Sequence, residues 1–255
     1  MSVFENGISL LRRVRTRLRV IKQGRLQSFG TYRPYVSGKK GLEIGGPSGL
    51  FGRGKALPLY NEIGSLDNCD FSKSTVWANH SEEFNFNPAK QSGHTFFCDG
   101  SALIDIPDAT YDVVLSAHNL EHFANPVKAL KEWRRVLRPT GALVLVLPNY
   151  RETFDHLRQP THVDHMFDDF EQNMGEDDLT HLPEILEKHD LTRDRAAGSR
   201  EEFRKRCMNN ISNRCLHHHV FDERNSRELL SRSGFDVLTV DLAAPFHICI
   251  LARVI

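Results

Sequence analysis

From residue 40 onward, short apolar runs alternate with polar or helix-patterned stretches, the pattern of a mostly parallel sheet covered by helices on both faces. Lys40 to Ile44, Ser65 to Asp67, Thr95 to Cys98, Tyr111 to Ser116 and Ala142 to Leu147 read as strands. The clearest helix opens at Asn125, a good N-cap, with Pro126 at the first helical position. It carries Val127, Leu130, Trp133 and Leu137 on one face and stops before Pro139. Asp222 can cap a later helix ending near Gly234, after which Phe235 to Leu242 and His247 to Val254 read as two strands joined by Ala243-Ala244-Pro245. That corner is too short for a parallel crossover, so the two strands pair antiparallel if they pair directly. The predicted architecture is an α/β sheet ending in an antiparallel hairpin.

Two segments break the alternation. Near the start, Ile8, Leu11, Val14, Leu18 and Ile21 recur at steps of three or four among Arg12, Arg13, Arg15, Arg17, Arg19, Lys22 and Arg25, against the single acid Glu5. This is the pattern of a basic amphipathic helix, assigned to residues 1–30. Its apolar stripe either caps the core with the arginines in water, lies on an anionic membrane surface, or grips a partner. Residues 31–255 then form one domain, interrupted after the fifth strand by a polar, histidine-rich insertion at about 149–220. Helical patterns around Asp177 to Lys188 and Arg200 to Arg214 make it a lid or substrate platform.

Composition narrows the class. With 255 residues and 40% hydrophobic content the chain can bury one large core. Its 33 basic and 33 acidic residues leave no global field for a polyanion, which disfavours nucleic acid as a partner. Five cysteines, an odd number without a C-x-x-C pair, read as reduced thiols. No apolar run approaches about 20 residues, and no secretory signal pattern is present. The expectation is a cytoplasmic protein, held peripherally at the inner membrane face if its first helix binds there.

The candidate chemistry starts at Leu42-Glu43-Ile44-Gly45-Gly46-Pro47-Ser48-Gly49. Glycines let a backbone turn tightly and approach a ligand closely. A carboxylate two residues before the first glycine, and Pro47 without an N–H, suit a cationic nucleotide cofactor better than a pyrophosphate. About twenty residues on, Asp67 ends the second strand, where Rossmann-like sheets place an acceptor for ribose hydroxyls; Asp70 is the alternative. The next strand ends in Cys98-Asp99-Gly100-Ser101, and the fourth runs through Ser116 into Ala117-His118-Asn119-Leu120-Glu121-His122.

In this order and spacing, over roughly residues 38–148 and the terminal hairpin, the chain resembles the class I S-adenosylmethionine-dependent methyltransferases. Glu43, Gly45 and Gly49 match the first motif of that family, with Pro47 in place of its middle glycine. The resemblance implies a Rossmann-like, seven-stranded, mostly parallel sheet with the last strand inserted beside the fifth. It implies S-adenosyl-L-methionine as cofactor, held by Glu43, Gly45, Gly46, Gly49, Asp67, Asp99, Gly100, Ser101, Ser116 and Asn119. Asp99 would accept the adenine amino group, and Asn119 would touch the methionine end. One departure is Leu50 to Ile63, where Gly52, Gly54 and Pro58 interrupt the segment that forms the first long helix in the family.

Thirteen histidines supply candidate bases. His156, with Asp155 or Glu152 as orienting acid, is the first choice and His118 the second, while His122 packs behind the site. A metal is the rival use of these residues, through His162-x-x-His165 with Asp164 or Asp168, or through Cys215 with His217-His218-His219. Neither spacing is a tight zinc pattern, so no metal site is assigned. The expected activity is O-methylation of a small-molecule or glycan hydroxyl. The alternatives are a non-catalytic scaffold of the same fold, N-methylation, and methylation of RNA or protein.

Overall fold

Eight strands form one sheet in the spatial order β3-β4-β2-β1-β5-β6-β8-β7 in the computed structural model, which describes residues 24–194 and 196–255. The strands are β1 (Lys40–Ile44), β2 (Ser65–Asp70), β3 (Glu83–Phe84), β4 (Gly93–Phe97), β5 (Tyr111–Ala117), β6 (Leu137–Pro148), β7 (Phe235–Ala243) and β8 (His247–Val254). β4, β2, β1, β5 and β6 run parallel, whereas β8 inserts antiparallel between β6 and β7, with Leu145 opposite Ile250. The sequence reading misses β3, an antiparallel edge strand of two residues beside β4. It also stops β2 three residues early.

Both faces of the sheet are covered, so strand residues are apolar in succession and divide between two cores by pleat. Leu143, Leu145 and Leu147 of β6 pack on one side with Val127, Leu130 and Trp133 of the helix α3 (Pro126–Val136). Val144 and Val146 face the other side, with Phe29, Tyr32 and Val36 of α1 (Phe29–Val36). Tyr32 anchors α1 by donating to Asp241 of β7 and to the Cys249 carbonyl of β8, at 2.9 and 3.1 Å.

The departure expected after the glycine turn is present. Leu50 to Ile63 holds one turn of 3-10 helix (Gly49–Phe51) and the single-turn α2 (Leu59–Glu62). In the insertion, α4 (Val163–Glu171) is a helix the sequence reading does not predict, whereas α5 (Leu182–Lys188), α6 (Arg200–Met208) and α7 (Asn210–Asn213) are shorter than the patterns that predict them, the long one breaking at Asn209. A small core of Ile185, Phe203, Cys207 and Leu216 holds part of it together. α8 (Glu223–Arg232) carries the predicted Asp222 cap.

The basic helix assigned to residues 1–30 lies outside the described residues up to residue 23; residues 24–28 are irregular, and Phe29 opens α1. Among the described residues no helix is long and apolar enough to cross a membrane.

Candidate active site

The chain leaves β1 toward β2 on one side, while β5 and β6 lie on the other, so the C-terminal ends of β1 and β5 border a crevice at the point where strand order reverses. A cavity of about 800 Å³ opens there. Ile44 to Pro47, Cys69 to Phe71, Asp99, Gly100 and Ala117 to Asn119 form its floor, and Phe154, Glu176, Arg206, Arg214 and His217 of the insertion cover it. Its size lies within the range of about 300–1,000 Å³ typical of small-molecule and cofactor sites.

The glycine turn is built around two side chains. Gly45 adopts φ +70°, and a β-carbon there would lie 2.3 Å from the Asn119 amide, so only glycine fits. Asn119 holds the turn from the β5 side by donating to the Ile44 carbonyl at 2.7 Å, and Asn68 of β2 accepts the Gly46 N–H at 2.8 Å. Glu43 plays a different part from the expected one. It is fully buried on the face opposite Ile44, accepting the Ser48 N–H at 2.9 Å and the Tyr60 hydroxyl at 2.8 Å. Burial outweighs those two bonds and pushes its pKa up to about 7. It braces the turn from behind and is not among the cavity-lining residues.

Asp67, the expected ribose acceptor, lies away from the cavity. Because β2 continues to Asp70, Asp67 lies in mid-strand, where it accepts the Tyr111 hydroxyl and the His94 N–H, both at 2.9 Å. Asp70 stands at the strand's end and lines the cavity, with His80 at 3.3 Å. Asp99 lines the cavity as expected. Its carboxylate accepts the Ser101 N–H and hydroxyl and is paired at 3.0 Å with Arg214, which the sequence reading did not single out. These donors hold the Asp99 carboxyl below its ordinary pKa despite burial. Gly45, Gly46, Gly100 and Asn119 border the same space, whereas Gly49, Ser101 and Ser116 do not.

Among the histidines the structure places the first choice away from the cavity. His156 is outside the cavity lining and pairs with Asp190 at 2.9 Å. Asp155, its expected orienting acid, turns instead to His217, with Nδ1 to Oδ2 at 2.6 Å. Arg158, buried, completes that group by donating to Asp155 and to the His217 carbonyl, at 3.2 and 2.7 Å. Asp155 is held down at about 2 by His217 and Arg158 against the effect of burial, and Asp155 raises the His217 pKa against the same effect. His122 stacks edge-on to His217 with centroids 4.6 Å apart, and burial lowers its pKa to about 4. His122 thus lines the cavity, contrary to its expected place behind it. His118 lines the cavity too, its Nε2 2.8 Å from Nδ1 of His247 and its Nδ1 3.5 Å from buried Glu121.

Sequence reasoning missed Arg214, His217 as a site residue and Asp70 as first choice, because each depends on where a strand ends or on which segment the insertion folds back over the sheet. The His162, Asp164 and Asp168 grouping does not form: Asp164 is exposed and paired with Arg232.

Fold and cavity together define a methyltransferase-type α/β protein with an inserted cover. Residues 48–145 match the family model described as "Methyltransferase domain". Among solved structures, a SAM-dependent methyltransferase from Aquifex aeolicus is 15% identical, with 97% of this chain and 98% of that one covered, at a TM-score of 0.50. A second such enzyme, from Mesorhizobium loti, is 15% identical over 89% of this chain and 95% of the other, at 0.51. No curated protein sequence matches the chain. Over residues 48–145 the chain is similar to the methyltransferase domain, and its fold is that of these S-adenosylmethionine-dependent enzymes.

The residues fit that cofactor. The Gly45-Gly46 turn brings backbone to the cavity wall, and Asp70 and Asp99 present carboxylates at the ends of β2 and β4. Asp99 has capacity for a further donor beyond Ser101 and Arg214, since a carboxylate offers about four acceptor sites.

Proposed function

We propose that the enzyme methylates a hydroxyl of a small molecule or glycan, with His217 as general base and Asp155 as the residue that positions it. When bound, S-adenosylmethionine supplies an electrophilic methyl group on a sulfonium. The chain's own task is to hold an acceptor oxygen in line, about 3 Å away, and to take its proton. The observation that carries this reading is the 2.6 Å pair between His217 and Asp155 at the cavity wall. With Nδ1–H donated to the carboxylate, Nε2 carries the lone pair, and the acceptor's proton goes there. His122 beside it has its pKa lowered by burial to about 4 and stays neutral.

A hydroxyl acceptor is supported by the cavity's mixed lining. Trp77, 58% exposed, stands at its border beside His122 and offers a flat apolar face to a sugar ring or an aromatic ring. Neutral net charge speaks against a large RNA, and a steep salt dependence of acceptor binding would instead favour one. Peripheral membrane contact through the basic segment is part of the same proposal. It accords with a glycan precursor made at a membrane face.

The test uses isotopically labelled S-adenosylmethionine with candidate small-molecule and glycan acceptors, and mass analysis of what gains a methyl group. His217→Asn is expected to lower turnover by about 10²–10⁴, the usual contribution of a general base. The midpoint shift caused by S-adenosylhomocysteine should be unchanged, and His156→Ala should leave turnover near that of the parent. Unchanged turnover in His217→Asn removes His217 as the base.

A further inference from the structure

Outside the cavity, four side chains from three separate stretches of the insertion converge: His165 and Asp169 of α4, His181 before α5, and His219. Each can direct one ligand atom to a common point, all four atoms lying within 4.8 Å of one another. His165 Nε2 is 3.0 Å from His181 Nε2 and 3.6 Å from Asp169 Oδ2, and His219 Nε2 is 3.5 Å from the same Oδ2. The ligand atoms of a tetrahedral zinc ion, each about 2.0–2.1 Å from the metal, stand about 3.3 Å apart along the edges. The observed separations scatter around that value.

Hydrogen bonding accounts for the group less well. One N–H can link His165 to His181, but 3.5 and 3.6 Å are too long for hydrogen bonds to Asp169. Asp169 is 5% exposed, and its Oδ2 has no hydrogen-bond partner although it points into the cluster. His219 Nε2 has only a 3.3 Å approach to the Ala124 carbonyl, and its buried Nδ1 has no partner. A buried carboxylate oxygen left without a donor among three imidazoles is costly, whereas a cation between them satisfies all four groups.

We propose that His165, Asp169, His181 and His219 form a structural zinc site. Three imidazoles select a borderline transition ion over magnesium or calcium, and four protein ligands leave no position open for substrate. The ion ties α4, the segment before α5 and the irregular run ending at Val220 into one unit. His217, two residues from His219, is thereby held over the cavity. Each member of the triple histidine then has separate work: His217 faces the cavity, His218 meets Asn210 at 3.1 Å, and His219 joins the metal group.

The experiment is metal analysis of the full-length protein after chelator treatment and reloading with zinc sulfate, with thermal melting of both forms. One zinc per chain and a higher midpoint in the loaded form are expected. Asp169→Asn, which preserves shape, should weaken zinc binding by at least about 100-fold, more than the 10–100-fold cost of losing an outer-shell partner. His165→Ala should do the same. Should these variants not fold, cobalt(II) in the parent protein decides the matter: the intense visible bands of a tetrahedral site support the proposal, and the weak spectrum of a six-coordinate ion overturns it. Zinc absent from the reloaded parent overturns it too. Retention in Asp169→Asn and His165→Ala with loss in His122→Ala would move the ion to the Glu121, His122 and His217 group of the cavity and equally overturn it.

Discussion

At the scale of single residues, the pair of His217 and Asp155 makes the sharpest claim about pH. A base acts in its unprotonated form, and Asp155 raises the His217 pKa above its ordinary value near 6.5. Turnover per substrate-bound enzyme should therefore rise with pH through a midpoint above about 6.5. Asp155→Asn removes the charge that raises it, so the acidic limb of the profile moves to lower pH while the plateau falls, because the ring loses its orienting partner. An unmoved limb would show that another group titrates. Stability follows the same pair with opposite signs. The Asp155 contribution is present above about 3.9 and is lost as pH falls through about 2. The His217 contribution is present below about 6.5 and is lost as pH rises through its raised value. Glu43 acts the other way, since its raised pKa of about 7 means that the folded state binds the extra proton, and its part in stability declines from about 4.3 toward 7.

Elements owe their positions to caps and to faces. α8 starts at Asp222, whose side chain accepts the Arg224 and Asn225 N–H groups at 3.0 and 2.8 Å while Asn225 answers to the Asp222 N–H. Asp222→Ala should cost about 0.5–2 kcal/mol. For a domain of this size that lowers the melting midpoint by about 1–8 °C, measurable by calorimetry without loss of cofactor binding, because α8 packs against β7 away from the cavity. β2 shows the opposite dependence. Its last residues, Asn68 to Asp70, pair with Thr95 to Phe97 of β4, and Asn68 also holds the Gly46 N–H. The extension that carries Asp70 to the cavity is a matter of pairing between strands, which no local pattern records.

On the scale of the whole molecule, the cavity lies between the sheet and its insertion, so a ligand there touches both. S-adenosylhomocysteine at 100 times its dissociation constant should stabilise the folded state by about 2.7 kcal/mol, which raises the midpoint by about 5–10 °C. No shift at saturating ligand would contradict the cofactor assignment. Arg214 is one link between the two parts: it reaches from the insertion to Asp99 at 3.0 Å, over the ring of Phe71, while Glu176 of the insertion holds it at 3.2 Å.

The sequence by itself determined the strand and helix alternation, the antiparallel hairpin, the Asn125 and Asp222 caps, the glycine turn and the acid at position 99, because each is a local pattern of polarity or backbone freedom. Tertiary structure decided the rest. Glu43 is buried away from the cavity because β1 turns that residue toward Tyr60. Asp70 rather than Asp67 reaches the cavity because β2 runs further in partnership with β4. Among thirteen histidines, proximity in the chain to Asp155 favoured His156, yet the insertion folds so that a residue 62 positions later meets that acid. Side chains from distant segments share a site only when packing brings their backbones together, and that information lies in contacts between elements, not in spacing along the chain.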